Sequence, residues 1–487
     1  MKKANFLSLL FGLLSQYGFG QEIDLIRLDD YLKNEMSIYQ IPGLAIGIVH
    51  DGEIIYCKGF GYNVGDNQQL NAESPFMLAS LTKSFTGLAI SQLESQGRLR
   101  YTDRIRDYLP FFTLKGVDYQ DSITINHLLD HRSGIPGISS YKTNRDAFDL
   151  EEKARRLKNV KGKESLGDFE YANDNYALLG LIIEKVSGKS YQEYVQKQIL
   201  SPLNMSNTFF SQEDAVRHNM AKGHQLNFGL PLPSRITYHK ANLPNGGMLS
   251  SASDLCKYLQ SHITIDSDVE PVVAALNKTN DLFKSTHEDI YRKGWFISEY
   301  NGKKFYSHGG QLSDYQNFMG FFPEEKLGLV ILINQNSLFL NNRISQIPED
   351  VLQFLFGGAL PINKGKLNSA YWIFIALSIA FVSFLLFNLI KAIRTNKFNK
   401  LSSKDLQKAQ LSTWIGNIIV PIVMMIWMWY LANYLMTSLH LAQPDILFVI
   451  QLFFAYSIIV GLLRIYQIRR NIETKKSKTT QIQDHSI

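Results

Sequence analysis

Cysteine is scarce in this chain: among 487 residues only Cys57 and Cys256 occur. Two thiols make no disulfide framework, so the fold must rest on apolar burial. Neither Cys-x-x-Cys nor His-Glu-x-x-His is present, so the usual zinc spacings are missing. No metal and no organic cofactor is expected. Internal repeats and low-complexity stretches are also lacking, which excludes a solenoid or a long disordered arm. Charged residues make up only 19% of the chain, and the net charge of +6 has a local origin described below. Cys57 sits in a strand-like run and Cys256 in a helix-like one, so two free buried thiols are expected.

What the chain has in excess is apolar sequence at its two ends. Lys2 and Lys3, the apolar run Phe6 to Leu14 and the small residues of Gly18-Phe19-Gly20 read as a secretory signal over 1–20, cleaved before Gln21. Three uncharged stretches near the other end, 369–390, 411–435 and 446–463, each have the length of a membrane-spanning helix, about 17–25 residues. None shows a polar face, which argues against buried helices of a soluble core. Trp414, Trp427, Trp429, Tyr430 and Tyr434 stand in the second stretch.

Charge orients these spans. Lys391, Arg394, Lys397, Lys400, Lys404 and Lys408 face a single acid, Asp405, between the first two. Arg464, Arg469, Arg470, Lys475, Lys476 and Lys478 fill the tail 464–487, while Met436 to Asp445 has no Lys or Arg. The positive-inside rule makes the basic loop and tail cytoplasmic and places residues 21–360 outside the cytoplasmic membrane, joined by a linker over 361–368. Loop and tail together carry more than the whole chain's excess of positive charge. The exported part is therefore near neutral, and the basic residues read as a topology signal rather than a nucleic-acid arm.

Within the exported part, Gly43 to Val49 and Glu53 to Cys57 read as two strands around the turn Asp51-Gly52. Trp295 to Ile297, Lys304 to Tyr306, Asn317 to Phe321 and Leu327 to Ile333 read as more strands late in the chain. The middle, about 99–243, is helical; its clearest runs are Ile125 to Asp130 and Tyr176 to Ser187, the latter stopped by Gly188. This pattern predicts an α+β fold: one antiparallel sheet closed by both chain ends and flanked by helices, plus a helical subdomain, followed by a three-helix transmembrane region.

Three short motifs carry chemistry, and each is weak alone. Ser80-Leu81-Thr82-Lys83 opens a helical run, and a serine and a lysine one turn apart share a face. An amine beside the hydroxyl makes serine nucleophilic without a histidine–aspartate pair. Tyr171-Ala172-Asn173 precedes another helix; the phenol serves as a base only if a cation such as Lys83 depresses its pKa, and the Asn173 amide can hold a carbonyl. His308-Gly309-Gly310 ends a strand, where glycines admit a close approach and the N–H of Gln311 pairs with that of Ser80 as an oxyanion hole. His127, His131 and Asp103 are expected to be structural.

In combination the chain resembles the serine β-lactamase and penicillin-recognising superfamily, particularly its class C β-lactamase, DD-peptidase and esterase group. Pro42-Gly43-Leu44-Ala45, Ile123 to Leu129, His131 to Ile135, Tyr171 to Gly180 and Asn245 to Ser250 all look like family blocks in family order. The resemblance covers about residues 23 to 356. It implies that Ser80 is the acylated nucleophile, Lys83 its partner, Tyr171 the general base–acid and Asn173 the residue orienting a substrate amide. Gly310 and His308 fall in the substrate-binding strand, where many relatives carry lysine in Lys-Thr-Gly. Histidine is mostly neutral above about pH 6.5, so anchoring of a substrate carboxylate is in question.

The expected activity is acyl-enzyme hydrolysis of amides or esters. Small-molecule or peptide substrates are expected: D-amino-acid peptides of the cell wall, β-lactams or small esters. A penicillin-binding sensor without turnover is the alternative of another class, disfavoured by cytoplasmic pieces too small for a signalling domain.

Overall fold

The computed structural model describes residues 23–63, 68–144, 149–234, 240–264, 290–337, 341–361, 369–395, 398–399, 401–431 and 444–484. The expected signal at 1–20 and nearly all of the linker lie outside them. The chain divides into two compact units, residues from 366 on forming the second together with Leu226–Leu230.

The first unit is built on seven strands: β1 (Gly43–His50), β2 (Glu53–Gly61), β3 (Tyr291–Arg292), β4 (Trp295–Tyr300), β5 (Lys303–Gln311), β6 (Gln316–Phe322) and β7 (Leu327–Ile333). They lie in the order β2-β1-β7-β6-β5-β4-β3, each neighbour pair antiparallel. The first strand in sequence meets the last inside the sheet, one strand in from its β2 edge, where Leu44 pairs with Ile333 and His50 with Leu327. The strands on both sides of that seam are buried along almost their whole length. A continuous apolar run is what a strand covered on both faces needs.

Both faces are indeed covered. On one lies α1 (Leu25–Tyr39), begun by Asp24, whose carboxylate accepts the Arg27 N–H at 3.0 Å. Its Tyr31 hydroxyl donates to Asp350 at 2.6 Å on α6 (Gln346–Leu355), which ties an early helix to a late one. Another helix, α5 (Ala252–Ile263), packs on β1, β2 and β7 and is capped by Ser251.

The middle of the chain forms the helical part. Its core is α2 (Thr82–Ser95) against α4 (Asn173–Ser187), with the short α3 (Leu150–Arg156) beside α4. α2 is buried from Thr82 to Leu93 and α4 from Asp174 to Ile183, which explains why neither reads as amphipathic. The middle is less purely helical than expected, since His224 and Gln225 pair in parallel with Gln335 and Asn336.

The second unit is helical: α7 (Ser369–Arg394), α8 (Ser403–Trp414), α9 (Val420–Leu431) and α10 (Pro444–Asp484), with one π turn, Ile415–Ile419, joining α8 to α9. Three of its stretches are long and apolar enough to cross a membrane: Trp372–Arg394, Ser403–Trp427 and Phe448–Ser477. The helices outrun the apolar segments read from sequence. The polar residues at 403–410 and 464–484 are mostly Lys, Arg, Gln and Glu, good helix formers that extend a helix already begun. The loop between α9 and α10 lies outside the described residues.

Candidate active site

Ser80 stands in a one-turn 3₁₀ segment, Ala79–Leu81, that runs straight into α2. The segment is pinned from two directions. Phe76 and Met77 pair with Ser250 and Leu249, and Leu78 N–H donates to the Met248 carbonyl. Asn317 on β6 donates its amide to the Met77 carbonyl at 2.7 Å. Ala79 sits at φ 52°, a left-handed value that costs a non-glycine residue roughly 1 kcal/mol or more. Strain of this kind persists only where the surroundings impose it.

Lys83 follows one turn later with its side chain wholly buried. Its Nζ lies 2.9 Å from Ser80 Oγ and donates to the Asn245 main-chain carbonyl at 2.6 Å. Burial pushes the ammonium pKa well below its ordinary value, and the neighbouring Lys153 adds to the effect. A shift in this direction favours the neutral amine, the form that can accept a proton from the serine hydroxyl beside it.

Tyr171 lies just before α4, with Lys83 Nζ 4.9 Å from its ring centre. Its hydroxyl is buried and closes no hydrogen bond among the described residues, although Ser80 is near enough to oppose the pKa shift. Burial dominates and pushes the phenol up, so the condition set for a phenolate base, a pKa depressed by a neighbouring cation, is not met. The reason is physical: in a buried site the penalty on a charged phenolate exceeds what the nearby Ser80 hydroxyl returns. Asn173 opens α4 partly exposed, and its amide makes no hydrogen bond among the described residues.

β5 supplies the opposite wall. β4 pairs with β5 no further than Ser307, so His308 to Gln311 leave that side of the strand to the Ser80 segment. A side chain at Gly310 would meet the Leu78 carbonyl at 2.3 Å, so only glycine lets the strand approach the nucleophile's turn. Gln311 is the last residue of β5, paired with Gln316.

His308 turns away from the role of a cation. It is 2% exposed, and its Nδ1 lies 2.7 Å from the Gly309 carbonyl while Nε2 lies 3.1 Å from the Tyr291 hydroxyl. A carbonyl only accepts, so the proton is on Nδ1 and Nε2 accepts from Tyr291. Burial, reinforced by Lys83, pushes the imidazole down to about 3. Tyr291 also packs on Phe296, with ring centres 4.8 Å apart.

Several residues join the site that the sequence reading left out. His131, expected to be structural, is buried with its ring 4.3 Å from that of Tyr171 and 4.6 Å from that of Tyr291. Its Nδ1 accepts from the Ala172 N–H at 3.2 Å and lies 2.9 Å from the Asn175 amide. It thus holds the motif Tyr171-Ala172-Asn173 in place through packing and one main-chain bond. Asn245 links two lysines: its carbonyl takes Lys83 and its side chain lies 3.5 Å from Lys153 Nζ. Lys153, on α3, also donates to Asn242 at 2.6 Å and pairs with Asp174 at 3.4 Å, both partners 1% exposed. The block Asn245 to Ser250 was the one available signal for Asn245; a lysine in the charged run of α3 offers none.

This second ammonium gives a testable consequence. Lys153→Met leaves Asp174 buried without its cation and should destabilise the protein by roughly 3–5 kcal/mol, whereas Lys153→Met with Asp174→Asn should recover most of that. In the double variant Lys83 loses a positive neighbour, its pKa rises, and the acid limb of kcat/KM should move to higher pH. Chemical denaturation and a pH–rate profile check the two halves.

Comparison with known proteins identifies the family. The family described as Beta-lactamase matches residues 28–344. The chain belongs to this family, the penicillin-binding and β-lactamase type of serine hydrolase. Protein flp of Staphylococcus aureus strain N315 is 30% identical over 337 residues, 67% of this chain and 66% of its own length. The chain thus spans about two thirds of that relative. Penicillin-binding protein 4 of Amycolatopsis lactamdurans is 25% identical over 325 residues, 63% of this chain and 83% of its own. Among solved structures, the octameric penicillin-binding protein homologue from Pyrococcus abyssi is 31% identical with a TM-score of 0.59, covering 69% of this chain and 78% of that one.

Proposed function

We propose that the protein is a serine hydrolase of the bacterial cytoplasmic membrane, held by a multi-pass C-terminal region with its catalytic domain extracytoplasmic. It acts through an acyl-enzyme on amide or ester bonds, with D-amino-acid peptides or related cell-wall compounds as substrates. The observation that carries this reading is the 2.9 Å approach of a buried Lys83 amine to Ser80 Oγ. Ser80 Oγ attacks the carbonyl carbon and its proton passes to Lys83. The N–H groups of Ser80 and Gln311 receive the developing oxyanion, and Asn173 holds the substrate amide. Tyr171, kept protonated by burial, gives a proton to the leaving group and recovers it by way of Lys83. Water then repeats the attack on the ester of Ser80 and releases the acid.

A second reading, hydrolysis of uncharged small esters, is favoured by His308. A neutral imidazole bonded to Tyr291 offers no charge to a substrate carboxylate, such as those of penicillins and terminal D-alanine. Turnover of a D-Ala-D-Ala peptide, nitrocefin and a nitrophenyl ester by the same preparation separates the readings. Preference for the ester by kcat/KM would overturn the peptide assignment. His308→Lys should shift preference towards the carboxylate-bearing substrates by roughly tenfold or more, since a hydrogen bond to a charged group contributes about 1.5–3 kcal/mol. The ratio of kcat/KM values for peptide and ester, measured in both forms, is the check.

A further inference from the structure

The chain's two cysteines, 199 positions apart in sequence, come together on one face of the sheet. Cys57 lies on the edge strand β2 and Cys256 on α5. Between them is Gly47 of β1, the register partner of Cys57. A Cβ built on Gly47 would stand 2.1 Å from Cys256 Sγ, so the sulfur occupies the space that any other side chain at 47 would fill. Residues directly opposed on antiparallel strands project to the same face with Cβ atoms about 4.5–5.5 Å apart. Cys57 therefore points at the place where the Cys256 sulfur sits. Its neighbours Tyr56 and Lys58 project to the other face and reach Asp29 on α1.

We propose that Cys57 and Cys256 form a redox-closable disulfide that ties the edge strand β2 to α5. Both are thiols in this structure, one half-buried and one buried. Their chemistry is unequal: the neighbouring Cys256 thiol holds the Cys57 thiol below its ordinary pKa, while the same neighbour and burial push Cys256 up. The more exposed Cys57 thiolate attacks a sulfur of an external disulfide and expels one thiolate. Cys256 then gives up its proton and attacks the Cys57 sulfur, expelling the second thiol. The protein loses two electrons and two protons, and the external disulfide is reduced to two thiols. The bond encloses a loop of about 200 residues, the long-loop case in which a cross-link restricts the unfolded chain most. Ser80 takes no part, so this inference stands or falls independently of the hydrolase reading and of the compartment.

The test uses the full chain in detergent, exposed to oxidised glutathione, then denatured, alkylated and digested. A peptide pair linked through Cys57 and Cys256, no alkylated thiol, and release by dithiothreitol are expected. The oxidised form should melt about 5 °C or more above the reduced form. Cys57→Ser and Cys256→Ser should each abolish the linked pair while keeping turnover of the ester. Full alkylation of both thiols after oxidation would overturn the proposal, as would a glutathione adduct that stays on Cys57 or a dimer linked through it.

Discussion

Ser80→Ala is expected to abolish labelling of the protein by a fluorescent penicillin or a fluorophosphonate and to lower turnover by roughly 10⁴- to 10⁶-fold, the scale on which removal of a serine nucleophile acts. The size follows from what remains. Lys83 keeps its bond to the Asn245 carbonyl, the glycine at 310 still brings β5 against the Leu78 carbonyl, and the wall of Tyr171, Tyr291 and His308 is untouched. The variant should thus bind substrate yet have no atom with which to form the acyl-enzyme. One lost hydrogen bond costs about 1 kcal/mol, so a folded protein is measured in both arms. Gel fluorescence after labelling decides the matter: a band of undiminished intensity in Ser80→Ala would move the nucleophile elsewhere and end the assignment.

Much of this site could be read from sequence because its signals are local. Ser80 and Lys83 are one turn apart on a helix, and helical geometry alone puts them on one face. The strands were legible for the same reason: Gly43 to Val49 and Leu327 to Ile333 are apolar throughout, and two such runs bury both faces when they pair inside the sheet. What escaped is tertiary. The group that accepts from Lys83 is a main-chain carbonyl, Asn245, and a carbonyl leaves no mark in a sequence. Lys153 looks like any lysine of an exposed helix until α3 packs on α4 and buries it against Asp174. The upward shift of the Tyr171 pKa comes from burial, a property of the folded whole that no local motif carries. His308 shows both sides: its departure from lysine was visible in the motif, but its bond to Tyr291 was not.

Lys83→Met separates the chemistry from the fold and should lower kcat/KM by about 10²- to 10⁴-fold, the usual contribution of a positioned base. Methionine has nearly the shape of lysine without its nitrogen, so packing against Tyr171 and Tyr176 is kept. Two opposing terms then set stability. The Asn245 carbonyl loses its donor, which costs about 1–3 kcal/mol for a buried acceptor. Against this, the folded wild type disfavours the protonated amine that the unfolded chain holds at neutral pH, so Lys83 destabilises the fold increasingly as pH falls below its unfolded pKa and through its lowered folded one. Lys83→Met removes that contribution. Its stability should fall less steeply than that of the wild type as pH is lowered from the ordinary lysine pKa towards the depressed folded one, while activity is lost at every pH. Denaturant titrations across pH, read beside ester turnover, test both halves together. Activity close to wild type in Lys83→Met would leave Ser80 without its base and place the proton acceptor on Tyr171 instead.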